Sequence, residues 1–151
     1  MKKSPLHSMS FLHNPFQKQI LLIILSVLPV FAQGCEYLFP SLRSDKITVE
    51  EAAVFLENHK DDEDVVLLDI RSKREFDSLR IENSVNLDFS KPDFPDMVGN
   101  LERSKRYIII DQNGRKGAMA FELMKELRFP QIHYIIGGFE QWSKMNFPVQ
   151  K

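Results

Sequence analysis

Tyr107-Ile108-Ile109-Ile110-Asp111-Gln112-Asn113-Gly114-Arg115-Lys116-Gly117 runs from a β-branched apolar segment straight into a polar segment with two glycines. The first four residues predict a buried strand, because branched side chains pack well on a pleated surface. The next seven predict a loop. Ala118 to Leu127 then has apolar residues at helical spacing (Ala118, Phe121, Leu123, Met124, Leu127), which predicts an amphipathic helix. Met119 and Met124 are both expected to pack inside. A strand, a glycine-bearing loop and a helix in that order form half of a βαβ unit.

The same alternation extends in both directions. Upstream, Val65-Val66-Leu67-Leu68 reads as a strand covered on both faces, ending in Asp69-Ile70-Arg71. Thr48 with Glu51, and Ser72 with Glu75, have the spacing in which each side chain satisfies a free backbone N–H of the other at a helix start. Helices are therefore expected to open at Ile47 to Glu51 and, through about Ser78, after Ser72. Ser84 to Leu87 reads as a strand, Lys91 to Asp96 as a loop with two prolines, and Met97 to Leu101 as a helical turn. Downstream, Ile132 to Ile136 is a strand, Gly137-Gly138 a turn, and Phe139 to Lys144 a short helix carrying Trp142. Trp142 and Phe139 are expected in the core. Strands alternating with helices predict an α/β fold of three layers, a mainly parallel sheet flanked by helices.

Bulk properties narrow the function. The chain has 151 residues and a net charge of −1. Lys2, Lys3 and Lys18 precede Cys35 and no acid precedes Glu36, so the remainder holds 17 basic and 21 acidic residues, a net of −4. A mildly acidic domain has no electrostatic footprint for nucleic acid. A single cysteine excludes an intramolecular disulfide and a cysteine-rich metal site. His7, His13, His59 and His133 have no neighbours at metal-ligand spacing, so neither a metal nor a cofactor is expected.

The N-terminal segment has a different character. Ile20 to Ala32 reads ILLIILSVLPVFA, thirteen apolar or small residues. At ~1.5 Å per residue this spans roughly 20 Å, whereas a membrane-crossing helix needs about 20 residues. Basic residues ahead of a short apolar core indicate an export signal over residues 1–34. Ala32-Gln33-Gly34-Cys35 resembles a bacterial lipobox, in which the cysteine is lipidated and becomes the new N-terminus. Residues 35–45 then form a tether and 46–151 the folded domain. The chain is thus expected to be exported and held in the bacterial cell envelope, on the periplasmic or the surface face. Two alternatives stay open here: ordinary cleavage after Val30-Phe31-Ala32, and an uncleaved anchor.

Several separated pieces together resemble a rhodanese domain. Asp69-Ile70-Arg71 with Glu75-Phe76 is similar to that family's Asp-x-Arg…Glu-aromatic segment, and Ile81, Asn86 and Leu87 fit the family's next stretch. Tyr107 to Gly117 resembles the strand and active-site loop. Gly137-Gly138-Phe139-Glu140-Gln141-Trp142 and Phe147-Pro148-Val149 resemble the closing elements. The resemblance covers about residues 46 to 150. It departs at Leu79-Arg80-Ile81, where the family often has Gly-His-Ile. It also departs in the loop, where active members resemble Cys-Arg-x-Gly-x-Arg-Ser. The resemblance places Asp111 at the nucleophile position and Lys116 at that of the later arginine.

A loop that turns successive N–H groups into one concavity, followed by a helix start, is a cradle for an anion. The candidate anion-binding loop is Asp111, Gln112, Asn113, Gly114, Arg115, Lys116 and Gly117, with Asp69 and Arg71 in support. In active rhodaneses, the resemblance implies, this cradle holds a cysteine persulfide. Sulfur transfer needs a thiolate that makes and breaks an S–S bond, which a carboxylate cannot do. The Asp111 carboxylate is expected to fill the cradle itself, with Arg115 or Lys116 neutralising it. The plainer reading of Asp111 is a cap on the next helix, of Arg115 and Lys116 a solvated face, and of Asp69 and Arg71 a structural link. The expected function is a catalytically silent rhodanese-like domain, binding an unknown protein or a small anion at this loop. The alternatives are an altered sulfurtransferase and a purely structural envelope protein.

Overall fold

The computed structural model describes residues 45–151. The expected export signal, Cys35 and the expected tether up to Ser44 lie outside the described residues. Among the described residues five strands form one sheet in the order β1-β5-β4-β2-β3: β1 is Lys46–Ile47, β2 Val65–Asp69, β3 Val85–Asn86, β4 Arg106–Ile110 and β5 Ile132–Ile135. All four pairings are parallel, with Leu68 opposite Ile109 and Tyr107 opposite Ile132. The helices are α1 (Val49–Asn58), α2 (Lys73–Ser78), α3 (Phe94–Gly99), α4 (Arg115–Glu126) and α5 (Gly138–Lys144). The expected three-layer α/β arrangement is what forms.

Alternation along the central strands divides the interior. Leu67, Ile108 and Ile110 face one cluster with Ala52, Phe55, Phe139 and Trp142. Leu68, Tyr107 and Ile109 face the other with Phe94, Val98, Phe121 and Met124. A side-chain period of two on strands covered on both sides produces this split. Both capping boxes form. Glu51 N–H donates to Thr48 Oγ1 at 3.2 Å and Thr48 N–H to Glu51 Oε2 at 2.7 Å. Ser72 and Glu75 repeat the exchange.

The structure corrects several expected boundaries. Ile47 belongs to a strand and not to the opening of a helix, since Lys46–Ile47 pairs with Tyr134 and Ile135. α3 begins at Phe94, inside the stretch expected to be a proline loop, with Pro95 in its first turn. A proline there removes no intrahelical hydrogen bond. α4 begins at Arg115 and not Ala118. Its buried stripe is Gly117, Ala120, Phe121 and Met124, and Met119 is 61% exposed against the expectation that it packs inside.

Candidate functional site

The site stands at the C-terminal edge of the sheet, where Asp111 directly follows β4. Gly114 takes a left-handed conformation (φ +87°), which turns the chain sharply enough for α4 to start at the next residue. That turn brings the Gly114 and Lys116 N–H groups back over Asp111. The Asp111 carboxylate accepts both: Oδ1 from Gly114 at 2.7 Å and Oδ2 from Lys116 at 3.0 Å. Asp111 is 1% exposed. Asn113 Oδ1 accepts the Arg115 N–H at 3.2 Å. Helix-start donors that could otherwise face a ligand are thus held by side chains of the loop itself.

Neither Arg115 nor Lys116 forms an ion pair with Asp111; backbone N–H groups hold the carboxylate instead. Both cationic residues are exposed, and Lys116 Nζ lies 5.8 Å from the Phe89 ring centroid. Gln112 is exposed and its carbonyl accepts the Glu140 N–H at 2.9 Å. Gly117 packs under Asp111; a Cβ there would stand 3.0 Å from Asp111 Oδ1.

Asp69 and Arg71 form a fully buried ion pair at 2.6 Å. Arg71 Nη2 also donates to the Leu79 carbonyl at 2.8 Å, and its guanidinium lies 3.5 Å from the centre of the Phe139 ring. Asn86 Nδ2 donates to the carbonyls of both Asp69 and Arg71. The pair therefore ties the ends of β2 and β3, the residue after α2, and α5 together under the loop.

α5 closes the site from the other side. Gly137 and Gly138 both have positive φ, and a Cβ on Gly138 would stand 2.5 Å from the Asp111 carbonyl oxygen. Only glycine admits this approach. Through it, Phe139 N–H donates to the Asp111 carbonyl at 2.8 Å.

Above the loop is a cleft of about 210 Å³ lined by Arg71, Ser72, Glu75, Asp88, Asn113 and Lys116, among others. A hydrogen bond from Ser72, opposed by burial and aided by the nearby Arg71 and Lys116 charges, holds the Glu75 carboxyl below its ordinary value. Partial burial pushes the Asp88 carboxyl up, but hydrogen bonds from Ser90 and the Lys73 N–H outweigh it and leave the group lowered. Carboxylates and cations alternate around this cleft, so it has no single sign. A larger groove of about 740 Å³, between α1 and Trp142, combines apolar residues such as Leu56, Ile81 and Phe147 with the ionisable Glu57, His59, Lys60 and Asp61. Among the described residues no cluster of His, Cys, Asp and Glu could hold a metal ion.

The family model of the rhodanese-like domain matches residues 52–145. The chain belongs to the rhodanese-like domain family. This rhodanese-like chain is 25% identical over 123 residues to the adenylyltransferase and sulfurtransferase UBA4 of Debaryomyces hansenii, a match over 76% of this chain. It spans only 27% of that relative's length. A rhodanese-related protein from Thermoplasma volcanium superposes with a TM-score of 0.59 at 27% identity, covering 71% of this chain and 98% of that one. The rhodanese-like domain of an Anabaena protein superposes with a TM-score of 0.61 at 17% identity, covering 71% and 79%, and shares the fold. The domain is therefore related to the sulfurtransferase family.

The loop, Asp69 and Arg71 are all named by the sequence, and the fold brings them together. Glu75 as a cleft wall is not, because neither its capping spacing nor its place in the Glu-aromatic segment says that it faces the loop. Asp88 and Ser90 come from a coil after β3 and carry no local signature. Asn86 has no readable role either, and only the three-dimensional closeness of β2 and β3 reveals its two carbonyl partners.

Proposed function

We propose that this chain is a rhodanese-like domain that no longer transfers sulfur, exported and tethered to the cell envelope through lipidated Cys35. We further propose that Asp111 stands where active relatives carry their cysteine. One observation carries the reading: the Asp111 carboxylate accepts the Gly114 and Lys116 N–H groups. An oxygen at the head of the loop forms no persulfide, because the transferable sulfur must ride on sulfur. An external anion would have to displace a carboxylate already in place. This favours a protein partner over a small anion as what the loop face binds.

The test of silence is a thiosulfate:cyanide sulfurtransferase assay on the full chain carrying Cys35→Ser. No thiocyanate above the uncatalysed background is expected. Turnover by that protein would support the altered-sulfurtransferase alternative instead. The tether is checked separately by the intact mass of the mature chain, which is expected to begin at a lipid-modified Cys35.

A further inference from the structure

We propose that Asn113-Gly114 is a deamidation site kept dormant by the Asp111 carboxylate. An asparagine followed by glycine is open to attack on its own side chain, because glycine puts no Cβ in the way of ring closure. The Gly114 nitrogen loses its proton and bonds to Asn113 Cγ, and ammonia leaves with the side-chain nitrogen. The five-membered imide that results takes up solvent water at either carbonyl, giving aspartate or isoaspartate at position 113. No oxidant or reductant is needed, and the product carries one more negative charge.

The nucleophilic electron pair appears along the direction the N–H bond held. In this fold that direction leads to Asp111 Oδ1, 2.7 Å from the Gly114 nitrogen, and not toward the Asn113 side chain. The electrophile is held as well, since Asn113 Oδ1 accepts the Arg115 N–H at 3.2 Å. The backbone has little freedom to rearrange. A Cβ at Gly138 would stand 2.6 Å from the Asn113 nitrogen, and one at Gly114 would stand 2.9 Å from the Gly137 nitrogen. Ring closure therefore requires the loop to release its hydrogen bonds first. Asn113 itself is exposed, so water reaches it once the imide forms. An isoaspartate adds a backbone atom at a position packed this closely against the Gly137-Gly138 turn. Damage at Asn113 would thus disable the same loop that Asp111 organises.

The experiment tracks the peptide Tyr107–Arg115 by mass spectrometry while the full chain ages at neutral pH. Wild type is compared with Asp111→Ala, Asp111→Asn and the free peptide. Loss of a charge-assisted acceptor weakens loop closure by about tenfold or more, so Asp111→Ala is expected to deamidate at least about tenfold faster than wild type. Asp111→Asn keeps one acceptor oxygen and is expected to fall between the two. Circular dichroism melts establish that each variant is folded at the ageing temperature. Should Asp111→Ala not fold, amide hydrogen exchange in the wild type decides, with Gly114 expected to be protected. Wild-type ageing as fast as the free peptide, a folded Asp111→Ala that ages no faster than wild type, or an unprotected Gly114 amide would each overturn the proposal.

Discussion

At Arg71 a buried cation is offset by Asp69, the Leu79 carbonyl and the Phe139 ring. Arg71→Ala leaves Asp69 buried and unpaired, which costs about 3–5 kcal/mol. Chemical denaturation should show that loss at neutral pH. Glu75 adds a pH dependence. Its folded carboxyl titrates below the ordinary 4.5, chiefly because Ser72 hydrogen-bonds the charged form. The charged group therefore contributes stability that is fully present above about that ordinary value and disappears as pH falls through the lowered one. Ser72→Ala should flatten the acid limb of the stability curve below pH 4.5, measured by denaturation at stepped pH. An unchanged acid limb would mean that the Ser72 side-chain hydrogen bond to Glu75 contributes nothing to it. Residue roles are unevenly legible in the sequence. Thr48 and Ser72 are readable because a cap bonds its own neighbours in the chain. Asn86 is not, because the carbonyls it serves lie fifteen and seventeen residues away.

Among the elements, the long strands, the capped helices, the short strand β3 and the short helix α5 are legible in the sequence, whereas β1 and the starts of α3 and α4 are not. Lys46–Ile47 has too few residues for a pattern, and its extended form comes from pairing with β5. The start of α4 is hidden by Arg115 and Lys116, whose polarity reads as loop. What sets the boundary is the left-handed Gly114. Helical geometry also separates the two methionines of α4. Met124 lies on the stripe of Gly117, Ala120 and Phe121 that faces the sheet, whereas Met119 sits one residue short of Ala120 and points outward. Met124→Ala should lower stability by about 2–5 kcal/mol. Met119→Glu should change it by no more than about 0.5 kcal/mol. Equal losses at the two positions, read from denaturant midpoints, would mean that α4 is rotated from the orientation described.

At the scale of the whole molecule, the family resemblance is legible because its pieces recur in order along the chain, and the match over residues 52–145 establishes membership. On the proposed reading Asp111 puts an oxygen where active relatives carry a sulfur, and what the domain does then depends on the chemistry of a single loop. The proposed export signal and Cys35 anchor would decide where that loop meets a partner, and would make no direct contribution to its chemistry. The most direct test treats the full chain carrying Cys35→Ser with thiosulfate and reads its intact mass, beside the same chain with Asp111→Cys added. The expected result is no covalent sulfur on the protein with Asp111 and a single added sulfur atom on the protein with Asp111→Cys. A sulfur adduct on the protein that retains Asp111 would contradict the claim that this loop no longer carries sulfur.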